Sequence, residues 1–356
     1  MKFNAESRSY QTANYPLFLG EPLGIVDTIN IKYPVLEDLY QKQLAQIWNE
    51  FEIDVKQDRM DMLKVPKETT DLMVKTIMWQ TVADSVASRS IIETLGDYIT
   101  NSELMNLATL WSFFEVIHAR TYSHIIKQTF TYPNELLEEL YDDAGVLQRS
   151  EIIVSTFDDM AAMSLEANTE HEIRCQIIRT ITALFALEAI AFMSSFAVTF
   201  AITETGVFQG IGKLVKLICR DEVLHTRMDY AILEIILADP TWAQALADTK
   251  GDVQRILSSV VEQELNWADY LFSDGRKVVG LNATLLKEYT CWMSKPVFDA
   301  MGAEFHWDVP RVNPLPYMED YTQGSKTQTA PQELQNDSYL VGAIADDTDD
   351  LDFDEL

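Results

Sequence analysis

Apolar residues along this chain recur mainly at helical spacing. Leu36, Leu39, Tyr40, Leu44 and Ile47 follow the three-and-four rhythm of a buried helix face, and Trp48 closes that segment. Pro66-Lys-Glu-Thr-Thr supplies the next helix start, since proline and an acid suit a first turn. Met73, Ile77 and Met78 carry that helix to Asp84. Another helix is predicted over 102–129, with a break at Tyr132-Pro133-Asn134 and shorter helical stretches over 151–168. A long apolar helix follows over 171–205. Gly206, Gly210 and Gly212 loosen the chain before a helix over 211–238, and helices over 242–270 and 283–302 complete the body. Strict alternation with β-branched residues is nearly missing, so the expected class is all-α with at most a small β-hairpin. Residues 1–35, punctuated by Pro16, Gly20, Pro22, Gly24 and Pro34, read as an irregular arm.

Composition narrows this picture. The chain has 356 residues, 47% of them hydrophobic, enough for a large core. Its net charge of −29 opposes binding to nucleic acid or anionic membranes. Three scattered cysteines, Cys175, Cys219 and Cys291, suit neither a disulfide framework nor a thiolate metal site, and point to a reducing, cytoplasmic setting. The polar N-terminal residues lack the apolar core of a signal peptide. Residues 183–202 are long and apolar enough to span a bilayer, with one charge, Glu188. A helix buried on all sides fits them better, because no other segment looks like a span.

The chemistry lies on two helices. Glu115 and His118 stand at i, i+3, so both side chains leave one face and can bind one metal ion; Tyr122 follows one turn later on that face. Glu222 and His225 repeat the spacing. Asp84 stands 31 residues before Glu115, and Glu188 stands 34 before Glu222, each on the preceding helix. Two Glu-x-x-His pairs with two further inward carboxylates are the ligand set of ferritin-like di-metal bundles, so that architecture is expected. Carboxylates that bridge two cations offset their charge, and one imidazole per ion suits iron or manganese. One such pair alone is usually a solvated surface pair. Glu188 raises the weight of the metal reading, because a charge amid apolar residues is costly without compensation. Phe192 and Phe196 follow Glu188 by four and eight, and Ile218 precedes Glu222 by four; they are ordinary core or a dry wall beside the metals. His124, His171 and His306 lack this setting and are expected at surface or structural positions.

Together these segments resemble the radical-carrying small (β) subunit of class I ribonucleotide reductase, its aerobic Ia form most. The resemblance runs through residues 42–48, Asp84-Ser85, 111–125, 186–190, 220–225, 267–272, 313–316, 330–333 and 338–342, with 197–201 matching more loosely. It implies that Asp84, Glu115, His118, Glu188, Glu222 and His225 hold an oxo-bridged di-iron centre, manganese being an alternative. It further implies a tyrosyl radical on Tyr122 in an apolar pocket of Phe192, Phe196 and Ile218. Trp48 and Asp221 would carry the radical outward from His118, with Tyr339 as a tail relay and Glu333 nearby. The implied activity is thioredoxin- or glutaredoxin-dependent reduction of ribonucleotides to deoxyribonucleotides, by a homodimer bound through its tail to a large catalytic subunit. Two departures stand out: the region around 160–171 is shorter than in the best-known bacterial form, and Phe114 replaces a small polar residue.

The tail changes character after about Asn313, and the helical domain is expected to end at 322. Residues 323–356 read as a flexible acidic tail. Tyr339, Leu340, Val341, Ile344, Leu351, Phe353 and Leu356 are apolar in or just before its acidic end, which suits docking on a partner. The competing readings are a stand-alone ferritin-like di-iron oxidase or oxygenase, and an iron-storage protein. Storage has no use for Tyr122 or a tail tyrosine, and an oxygenase needs an open pocket that the expected apolar wall would fill.

Overall fold

The computed structural model describes residues 3–12 and 15–322. The tail, with Glu333 and Tyr339, lies outside the described residues. The chain folds into helices α1 Ser9–Thr12, α2 Pro34–Leu44, α3 Lys56–Lys64, α4 Lys67–Ser90, α5 Ser102–Thr129, α6 Pro133–Asp142, α7 Ala144–Gln148, α8 Glu151–Ala161, α9 Glu170–Ala186, α10 Met193–Thr203, α11 Gln209–Ala238, α12 Ala243–Leu271, α13 Ala283–Met301 and α14 Glu319–Thr322. Among the described residues no strand forms; only isolated bridges pair Phe18 with Ile99 and Val278 with Leu281.

Two helix pairs frame the centre. α4 packs along α5, and the line from α9 through α10 packs against α11. α10 also meets α4, and α11 meets α5, which closes the four-helix core. α12 covers α9, with α13 beyond it. The α9–α10 line is wholly buried through its most apolar window, as expected for a core helix. It is not one regular α-helix. Residues Leu187–Phe192 form a π-helical turn between α9 and α10. A second π turn, Ile91–Leu95, ends α4. Such turns shift the face that a helix presents.

α5 starts where the pattern places it. Asn101 caps it, its side chain accepting from Leu104 N–H at 2.8 Å. α11 is capped from a distance. Asp58 of α3 accepts from Ile211 N–H at 2.8 Å and Gly210 N–H at 3.2 Å, and Asp61 accepts from Phe208 N–H at 2.8 Å. A Cβ on Gly210 would lie 2.4 Å from the Asp58 carboxylate, so glycine is required there for this approach.

Two stretches near the N-terminal side differ from the sequence expectation, and a third is anchored by few contacts. α2 ends at Leu44, and Trp48 lies in the turn beyond it, 3% exposed. α3 has no apolar periodicity to announce it; its acids serve the amide groups at the start of α11. Residues 313–322 still belong to the body: Leu315 and Met318 are buried, the Tyr317 hydroxyl donates to Ala197 C=O at 2.7 Å, and Tyr321 stacks on Phe200 at 3.7 Å. A polar, proline-containing composition there conceals these few anchors.

Asp58→Ala removes two charge-assisted bonds to buried amides at the start of α11. It should destabilise the fold by about 2 kcal/mol, read as a lower denaturant midpoint with unchanged slope.

Candidate metal centre

Asp84 on α4, Glu115 and His118 on α5, Glu188 on the π turn, and Glu222 and His225 on α11 come together, and all six are fully buried. Their donor atoms form two overlapping groups. Asp84, Glu115, His118 and Glu222 make one; Glu115, Glu188, Glu222 and His225 make the other, with donor atoms of each within 4.8 Å of one another. Glu115 and Glu222 belong to both, as bridging carboxylates would. The rings of His118 and His225 lie 5.7 Å apart. His118 Nδ1 faces Glu222 at 3.1 Å and Asp84 and Glu115 at 3.5 Å, while His225 Nδ1 faces Glu115 at 2.8 Å and Glu222 at 3.3 Å.

The remaining valences decide what this cluster fits. Both oxygens of Asp84 and Glu115, one each of Glu188 and Glu222, and His118 Nδ1 have no hydrogen-bond partner among the described residues. Buried polar atoms rarely stay unsatisfied. Carboxylate and imidazole donors converging in two groups that share two acids fit a pair of divalent cations.

The electrostatics agree. Burial lifts the Asp84 carboxyl to about 8, against the opposite pull of His118. Burial, then Asp229 and Glu222, push Glu188 well above the usual carboxylate range. Burial also acts on Glu115, but His118 and His225 override it and hold that carboxyl at about 2. For His225, burial lowers the imidazole, yet Glu115 and Glu222 lift it to about 9. His118 likewise rises despite burial, through Glu115, Asp221 and Asp84.

Around the cluster lie the other sequence-predicted residues. Tyr122 is fully buried, and its hydroxyl has no hydrogen-bond partner. Burial and then Asp84 and Glu222 push its phenol well above the usual range, so it stays neutral. Phe192, Phe196 and Ile218 are fully buried in the same core, and the two phenyl rings stack 5.8 Å apart. Asp221 joins His118 of the cluster to Trp48: its Oδ2 accepts from Trp48 Nε1 at 2.6 Å and meets His118 Nε2 at 3.2 Å. Arg220 donates to its other oxygen at 3.1 Å. Trp111 Nε1 donates to Glu188 at 3.1 Å. His171 and His306 are exposed, and His124 is partly buried against Phe51. None of the three joins the cluster.

Sequence reasoning missed two features. Asp229, fully buried on α11, faces Glu188. It stands seven residues after Glu222, a spacing that would have revealed it. Arg149 is also fully buried. It binds Glu264 through two bonds of 2.6 Å, lies over the ring of Trp79 at 3.4 Å, and donates to Ala191 C=O at 2.9 Å. That carbonyl belongs to the π turn carrying Glu188, so Arg149 holds the turn from outside. Only tertiary structure brings residues this far apart together.

Comparison with known proteins is consistent with this geometry. The family model described as ribonucleotide reductase, small chain, matches residues 26–314. A ribonucleoside-diphosphate reductase subunit beta of Haemophilus influenzae is 31% identical over 360 residues, covering 96% of this chain and 95% of that protein. Among solved structures, the ribonucleotide reductase R2 subunit from Clostridium botulinum superposes with a TM-score of 0.79 at 21% identity, over 90% of this chain and 98% of that one. The dimanganese(II)-NrdF of Streptococcus sanguinis gives a TM-score of 0.68 at 18% identity, over 84% and 99%. These two likenesses show the fold.

Cations entering this cluster must displace the protons that Asp84 and His225 hold below about pH 8 and 9, and those held on Glu188 and His118. Mn(II) affinity should therefore rise with pH from 6.5 to 8.5, by about tenfold per unit for each proton displaced. Calorimetric titration in buffers of different ionisation enthalpy checks both the slope and the proton count.

Proposed function

The chain belongs to the ribonucleotide reductase small-chain family, and we propose that it is the subunit that makes and exports a tyrosyl radical, in the cytoplasm. Membership makes it part of an oxidoreductase that works with a large subunit. One observation carries the finer reading: two overlapping carboxylate–histidine groups lie fully buried, with an unpartnered tyrosine one turn beyond His118.

Asp84, Glu115, His118, Glu188, Glu222 and His225 hold two iron ions in this reading; manganese suits the same donors. Such ions, when bound, supply activation of dioxygen and the oxidising power to take one electron from a phenol. Tyr122 gives up that electron. Its phenolic proton would pass to the dioxygen being reduced, and Asp84 is the first of the carboxylates that bear on the phenol. Phe192, Phe196 and Ile218 keep water and reductants from the phenoxyl. His118 is fixed by Asp221 on the side away from its metal-facing nitrogen, which sets its tautomer as well as its orientation. The unbroken contacts from His118 through Asp221 to Trp48 support that route for the outward electron and proton relay. Glu333 and Tyr339 continue it in the tail, residues 323–356, which docks on the large subunit. Two copies of this chain form the small-subunit dimer.

Ferrous iron and oxygen should give the full chain a sharp tyrosyl signal in electron paramagnetic resonance, lost in Tyr122→Phe with metal content unchanged. Two bound irons in the wild type and no such signal would sink the radical reading. A chain ending at Ala330 should keep the signal and lose turnover with its large subunit; retained turnover would refute the tail's role.

A further inference from the structure

The two halves of the centre are more alike than their ligands alone require. Glu115, His118 and Tyr122 stand at i, i+3 and i+7 on α5; Glu222, His225 and Asp229 stand at the same spacing on α11. Asp229 and Tyr122 are both fully buried, with no protein donor on any side-chain oxygen. Each bears on the acid contributed by the preceding helix of its own half. For Tyr122 that acid is Asp84; for Asp229 it is Glu188, whose carboxyl lies within hydrogen-bonding reach. The approximate two-fold symmetry of the site thus sets Asp229 where the other half has its tyrosine.

This carboxylate is not treated as a structural acid. Glu264, also fully buried, receives two N–H bonds from Arg149. Asp229 receives none, and the groups facing it are Glu188, Glu222, Glu115 and His225. The histidines differ as well: His118 Nε2 is held by Asp221, whereas His225 Nε2 has no partner. The second half therefore lacks an outer carboxylate on its histidine and has one on its glutamate instead.

We propose that Asp229 is a seventh protein group of the centre, a positioning residue that fixes Glu188 and strengthens the ion held by Glu188, Glu222 and His225, so that the two ion positions are inequivalent. Its contact restrains the Glu188 carboxylate on the π turn, and its carboxylate adds to the attraction for that ion once the ion displaces its proton. The inference rests on the two-ion reading of the cluster.

The test titrates metal-free full-length protein with Mn(II) under anaerobic conditions, reading the free ion by electron paramagnetic resonance. Wild type should take up two ions. In Asp229→Asn, which keeps the shape and removes the charge, one of the two should bind about 10–100-fold more weakly while the other is unchanged. Asp229→Ser, without an amide to bond Glu188, should show the same selective loss and serves if the asparagine variant does not fold. Two wild-type ions with variant isotherms unchanged, or with both ions weakened equally as general loosening would produce, overturn the role of Asp229. A wild type that binds fewer than two ions overturns the two-ion reading and this inference with it.

Discussion

Burial of like charge is the constraint on which the rest of this molecule depends. Asp84, Glu115, Glu188, Glu222 and Asp229 sit in a fully buried cluster with only His118 and His225 as cationic counterparts. Carboxylates in such a place are costly unless protons or metal ions offset them. The fold meets that cost with rigidity. α4, α5, the α9–α10 line and α11 each contribute donors, and the aromatic and aliphatic core around them keeps the groups from relaxing toward water. A loose bundle would let the acids turn outward and the site would vanish.

Rigidity is supplied unevenly between the two halves. In the first half an outer carboxylate, Asp221, fixes the histidine and links it to Trp48, which lies beyond the end of α2. In the second half the regular helix gives way to a π turn, held by Arg149 on one side and met by Asp229 and Trp111 at the glutamate. The half with the tyrosine is joined through Asp221 to Trp48; the half with the extra acid has Asp229 beside its glutamate instead. A donor cluster with approximate two-fold symmetry is made unlike on its two sides in this way.

Much of this was legible in the chain. Glu-x-x-His twice, each preceded by an acid on an apolar helix, specified the six donors as candidates, and the structure brings all six together. The lone Glu188 among apolar residues was the clearest signal, since sequence alone shows that such a charge needs compensation. The all-α class followed from periodicity. Less was legible where residues act without periodicity. α3 looks like polar surface because its acids serve the start of a helix about 150 residues away. Trp48 reads as the end of a helix but sits in the turn after it, where its indole can reach Asp221. Residues 313–322 turn polar and proline-containing in composition, and two buried side chains and two tyrosines suffice to anchor them.

By itself, then, the sequence determined the helical class, the two ligand pairs, the acids before them and the tyrosine one turn beyond. All of these are spacings along single helices, set by the 3.6-residue repeat. Only the tertiary structure decided which acids belong to both halves, how Trp48 connects to His118, and that Arg149 and Asp229 converge on the π turn that carries Glu188. Those are contacts between helices, fixed by packing and by a π turn whose shift no local pattern announces. The stretch from Trp111 to Tyr122 carries half the chemistry in its own spacing; its other half was written by the helices packed around it.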